Sequence, residues 1–188
     1  MMKKTLSLLL ALAMLAALFG CGGKSGQQQE ELSVKDATEL LSTVWNSYSE
    51  DEKFPVSGGD MESGNFEGPG AFQTDDGEVL DSVLGLPQDM VDKIDGVASL
   101  MHMMNANTFT CGAFHVKSSA DVETVANALR ENILRRQWMC GFPDKLVILR
   151  AGDYVISFFG KETPVDTFKT RTLEAFSAAS VVCDEPIE

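Results

Sequence analysis

Leu146-Val147-Ile148-Leu149-Arg150-Ala151-Gly152-Asp153-Tyr154-Val155-Ile156-Ser157-Phe158-Phe159 is the stretch on which the fold turns. Two apolar runs, Leu146 to Arg150 and Tyr154 to Phe159, flank a short link containing glycine, the pattern of a β-hairpin. Upstream, Thr108 to Lys117 is rich in β-branched and aromatic residues and reads as a third strand. Between them Ser118 or Ser119 caps a helix that places Val122, Val125, Ala126, Leu129 and Ile133 at core spacing. Downstream, Thr163-Pro164-Val165-Asp166 is a helix start, with a Thr cap, Pro where no amide partner is needed and an acid in the first turn. Cys183 to Glu188 reads as a loose acidic tail.

The order strand, helix, strand, strand, helix predicts an α+β fold: a small three-stranded mixed or antiparallel sheet with helices packed on one face. The third strand is expected between the first two. A helical and loop-rich half precedes it. There, Ser33 is expected to cap a helix carrying Val34, Ala37, Leu41, Val44, Trp45 and Tyr48 on its apolar face. Lys53 to Gly77 holds six glycines and two prolines and follows neither helical nor strand period, so it is expected to be a long loop. Gln88 to Met104 places Met90, Val91, Ile94, Val97, Ala98, Met101 and Met104 at helical spacing, predicting two helical pieces broken at Asp95-Gly96.

The amino terminus sets the expected location. Lys3 and Lys4 precede an apolar run from Leu6 to Phe19, too short to span a bilayer comfortably and flanked like a secretory signal peptide. Leu18-Phe19-Gly20-Cys21 resembles the lipobox of bacterial lipoproteins. That resemblance implies removal of residues 1–20, diacylation of Cys21 and anchoring at the extracytoplasmic face of the cell membrane. Residues 21–32 are then a lipidated Cys and a flexible tether of Gly, Ser, Gln, Lys and Glu, and residues 33–188 a single α+β domain. From Cys21 onward the chain carries 28 acids against 13 Lys and Arg, so nucleic acid is not an expected partner.

Catalytic motifs are absent: there is no Gly-x-Ser-x-Gly, no phosphate loop and no His-Glu-x-x-His, and no cofactor is expected. His102 and His115 have no metal-pair spacing, and Met101-His102-Met103-Met104 reads as core rather than a copper site. Asp75-Asp76-Gly77-Glu78 contains fragments of a calcium loop without its alternate-residue ligands, and no metal site is expected there. With Cys21 lipidated, Cys111, Cys140 and Cys183 leave at least one thiol without an intramolecular partner. Trp138-Met139-Cys140-Gly141-Phe142-Pro143 partly resembles the thioredoxin motif but lacks its second Cys. Arg135 and Arg136 nearby would lower the pKa of an exposed Cys140 thiol.

Met103-Met104-Asn105, Leu134-Arg135-Arg136-Gln137 and Gly152-Asp153-Tyr154-Val155 resemble a domain of functionally uncharacterised lipoproteins from clostridia and related Gram-positive bacteria. Some similar sequences carry the label of bacteriocin transport accessory protein, which implies a thiol or export role. The leading expectation is a non-enzymatic binding or accessory protein whose ligand loop carries Asp60, Glu62, Asp75 and Asp76, with an envelope protein or small ligand as partner. The rivals are a thiol-dependent accessory protein of peptide or bacteriocin export acting through Cys140, and a divalent-cation binder.

Overall fold

The structure, a computed structural model, describes residues 32–139 and 141–188. Helix α1 (Ala37–Asn46) leads into two short strands, β1 (Val56–Ser57) and β2 (Gly70–Phe72), and then β3 (Ile94–His102) and β4 (Phe109–Val116). Helix α2 (Val122–Leu134) follows, then the hairpin β5 (Lys145–Ala151) and β6 (Tyr154–Gly160), helix α3 (Glu162–Ala175) and β7 (Ala179–Pro186). The strands form one seven-stranded antiparallel sheet in the order β1-β3-β4-β6-β5-β7, with β2 also paired to β3.

This corrects the expectation of a three-stranded sheet with helices on one face. The expected three strands are present as β4, β6 and β5, with β6 between the other two. Their apolar residues, however, point both ways. Val147, Leu149, Ala151, Tyr154, Ile156 and Phe158 face one core, covered by α1 and α3; Leu146, Ile148, Val155 and Phe159 face a second, covered by α2. Two strands apolar on both sides need cover on both sides, which a single helical layer cannot supply.

The same physics explains the largest misreading, which took β3 for a helix. Val97, Ala98, Ser99 and Leu100 are consecutive and all buried, so the alternation that marks a half-exposed strand is erased. Residues 88–93 do form a short helix of the tighter 3₁₀ type, while Gly96 marks a register shift against β4 rather than a helix break. Met101 is only half-buried and Met104 is 79% exposed, so the expected core face is not formed there. The supposed loop from Lys53 to Gly77 contributes β1 and β2 to the sheet edge, through pairs such as Val56 with His102 and Ala71 with Ala98.

The acidic tail is also ordered. β7 pairs with β5 along its length, and its adjacent acids reach opposite faces. Asp184 takes Lys145 at 2.9 Å and Lys169 at 2.8 Å, while Glu185 takes a two-pronged ion pair from Arg130 on α2. Helix starts moved slightly. Asp36, not Ser33, caps α1 by accepting from the Glu39 amide at 2.8 Å, and the Glu39 carboxylate in return accepts from the Lys35 amide at 2.6 Å. α3 begins at Glu162, whose amide donates to Asp144, so Thr163 lies inside the helix. α2 begins at Val122, and all five of its expected core residues are buried.

Candidate functional site

Segment 58–79 leaves the sheet edge, doubles back and returns, and glycine permits its geometry. A Cβ on Gly58 would lie 2.3 Å from the Gly70 amide nitrogen and 2.4 Å from the Ser99 carbonyl oxygen, so two backbones cross against β3 with no room for a side chain. Ser99, fully buried in β3, anchors the crossing: its hydroxyl accepts from the Gly59 amide at 2.9 Å. Gly58 and Asn65 then exchange backbone hydrogen bonds at 2.8 and 2.7 Å, closing a small loop.

Asp60 organises that loop. One carboxylate oxygen accepts from the Glu62 amide, the Ser63 amide and the Ser63 hydroxyl at 2.8–2.9 Å, and the other from the Gln73 amide at 2.8 Å. Desolvation pushes the Asp60 pKa up, but the donors from Ser63, Gln73 and Glu62 together outweigh it and leave the carboxyl below its ordinary value. Its lone pairs are engaged by the protein, so Asp60 shapes the site.

Glu62 accepts from the Gln73 side chain at 2.8 Å, and Asp76 caps the helical turn Gly77–Val79 through the Val79 amide at 3.0 Å. Asp75 is exposed and has neither hydrogen bond nor ion pair among the described residues. All four expected acids line one open groove of about 510 Å³, together with Met61, Phe72, Gln73 and Val79. Met61 is fully exposed and Val79 partly so. The surface therefore combines negative charge with apolar contact area. Among the described residues no group of three or more His, Cys, Asp or Glu could hold a metal ion.

The other chemistry-bearing residues lie elsewhere. His102 is a turn residue: its Nδ1 accepts from the Met104 and Asn105 amides at 3.2 and 3.3 Å, and its ring stacks on Phe54. His115 pairs with Asp95 at 2.5 Å beside Tyr154. Cys111 is fully buried, and burial pushes its pKa well up. Cys183 is pushed up to about 12, first by burial and then by the Glu185 carboxylate to which it donates. Neither thiol suits nucleophilic chemistry near neutral pH. Cys21 and Cys140 lie outside the described residues.

The four acids singled out in the sequence line one groove, whereas Ser99 and the Gly58–Gly70 crossing were not singled out. The signal for Ser99 was a lone hydroxyl inside an apolar run, and a serine there has to find a partner. No helix among the described residues is long and apolar enough to cross a membrane. Compared with known families, curated proteins and solved structures, the chain matches none.

Proposed function

We propose that this chain is a non-enzymatic, lipid-anchored extracytoplasmic binding or accessory protein, held to the cell membrane through Cys21 and engaging its partner with the groove of segment 58–79. The observation that carries the reading is that groove: a wall of Glu62, Asp75 and Asp76 beside the exposed Met61 and Val79, built on a glycine crossing pinned to the sheet. A rigid base with apolar and acidic groups at its rim suits a basic peptide or protein segment with one or two apolar side chains. The lipobox-like Leu18 to Cys21, the tether that follows it and the resemblance to clostridial lipoproteins support the location.

Site-specific photo-crosslinking in intact cells tests this. A photoreactive residue replacing Met61 should capture one envelope protein reproducibly, whereas the same residue replacing Glu123 on α2 should not. Glu62→Lys with Asp75→Lys should reduce that capture by about tenfold, as expected where like charges replace complementary ones. Equal capture from both positions, or capture unchanged by the charge reversals, would remove the groove from the function.

A further inference from the structure

The exposed apolar side chains of the described residues stand in two kinds of surroundings. Met61 lies between Asp60 and Glu62, Phe66 precedes Glu67, Val79 follows Glu78, and Val181 and Val182 share β7 with Asp184 and Glu185. Met103, Met104, Met139 and Phe142 have no such neighbours: residues 101–109 and 134–143 contain no Asp or Glu, in a chain that carries 28. Met104 is 79% exposed, Met139 90% and Phe142 64%. Apolar residues exposed singly are ordinary, but several gathered on one surface mark a place of contact.

The fold gathers these four. Residues 103–108 join β3 to β4 and residues 135–144 join α2 to β5, and both connections lie at the end of the sheet where Phe109 and Lys145 pair with Gly160. There they touch: the Asn107 side-chain amide donates to the Gly141 carbonyl at 2.9 Å, and a Cβ on Gly141 would lie 3.4 Å from the Asn105 side-chain nitrogen. Their backbones are tied down. His102 Nδ1 accepts from the Met104 and Asn105 amides, and Lys161 donates to the Phe142 carbonyl at 2.8 Å. The same Lys161 pairs with Asp144 at 2.8 Å, so the next acid along the chain is neutralised where it stands. Anchored connections thus hold out apolar side chains on a surface without free carboxylates.

We propose that a second copy of this chain docks at this end of the sheet, with Met104, Met139 and Phe142 of one copy packed on the same residues of the other about a twofold axis. A twofold contact sets a surface against itself, so that surface has to be self-complementary. Unbranched thioether side chains repack to meet the demand in shape, and the lack of carboxylates meets it in charge. With 28 acids against 13 Lys and Arg from Cys21 onward, two copies repel over much of the rest of their surface, and an anionic bilayer repels the chain likewise. The start of the described chain leaves the contact clear: Leu32 lies 3.7 Å from where a Cβ of Gly152 would be, in the turn at the opposite end of the hairpin. Four side chains per copy make a small interface of the transient class, suited to copies concentrated on one membrane. That suitability rests on the lipid-anchored reading, whereas the contact itself depends neither on it nor on the groove.

The full chain carrying a photoreactive residue in place of Met104 tests this, with unlabelled and nitrogen-15-labelled copies mixed at high concentration in non-ionic detergent. Irradiation should give a covalent dimer in which a light peptide is joined to a heavy one, the joined peptides being those that hold position 104, Met139 or Phe142. The same photoreactive residue replacing Glu123 on α2 should give little of it. Met139→Glu with Phe142→Glu, both at exposed positions, should leave the melting temperature unchanged and lower the dimer yield from position 104 at least about tenfold, because like charges then face each other. No light–heavy product, joined peptides from elsewhere in the chain, or a yield indifferent to the double substitution would overturn the proposal. Equal yield from position 123 would also overturn it, since two copies sharing a micelle without a specific contact would behave that way.

Discussion

The β5–β6 hairpin and the excursion from Val56 to Val79 are built by opposite means. The hairpin is held by apolar burial: all seven residues of β6 are buried, and Phe158 packs its ring 5.0 Å from that of Phe168. The excursion has few buried side chains and is held by directed contacts, namely the Gly58–Gly70 crossing, the Ser99 hydroxyl and the saturated Asp60 carboxylate. Burial stabilises without direction, so hairpins of this kind serve as scaffold. Hydrogen-bonded excursions keep side chains such as Met61 and Asp75 exposed to a partner.

Mutation should separate the two. Phe158→Ala removes a fully buried ring from the core shared with Phe109 and Phe168, and chemical denaturation should show a global loss of about 3–5 kcal/mol. A loss below about 1 kcal/mol would mean the hairpin is not the scaffold. In the excursion, Gly58→Ala forces a methyl group into two backbones and should cost about 1–3 kcal/mol. Its signature should be local, with faster amide exchange at residues 58–73 and unchanged protection in β5 and β6. Ser99→Ala leaves the buried Gly59 amide without its acceptor and should cost about 1–3 kcal/mol, again with exchange rising first in the excursion.

The smallest effect concerns pH. Arg171 holds the Glu52 pKa at about 2, below its ordinary 4.5, with further help from the Ser49 amide and hydroxyl. A carboxyl whose pKa is lower in the folded than in the unfolded state contributes fully above pH 4.5, and loses that contribution as pH falls toward 2. Arg171→Met should therefore flatten the fall of the urea midpoint across that window. The side chain is solvent-accessible, so the change should be small.

The same contrast governs how far the sequence could be read. The hairpin, α2 and the core face of α1 were legible because burial writes a periodic apolar pattern. β3 was not, since burial on both faces removed the alternation and its spacing also fits a helix. β7 was hidden because Asp184 and Glu185 find their bases on α2, α3 and β5, at separations that local composition cannot show. The four acids of the groove could be picked out as acids in a glycine-rich stretch. Their assembly could not, because it rests on a backbone crossing against a serine some forty residues away.

Amide hydrogen exchange on the native chain tests most directly whether the excursion is a built binding face. The account predicts marked protection at Gly58, Gly59, Asn65 and Gln73, whose amides donate to the Asn65 carbonyl, Ser99, the Gly58 carbonyl and Asp60. Met61 and Asp75 should exchange quickly beside them. Exchange at unstructured rates across all of residues 58–73 would contradict it, leaving the hairpin scaffold without the groove it is held to carry.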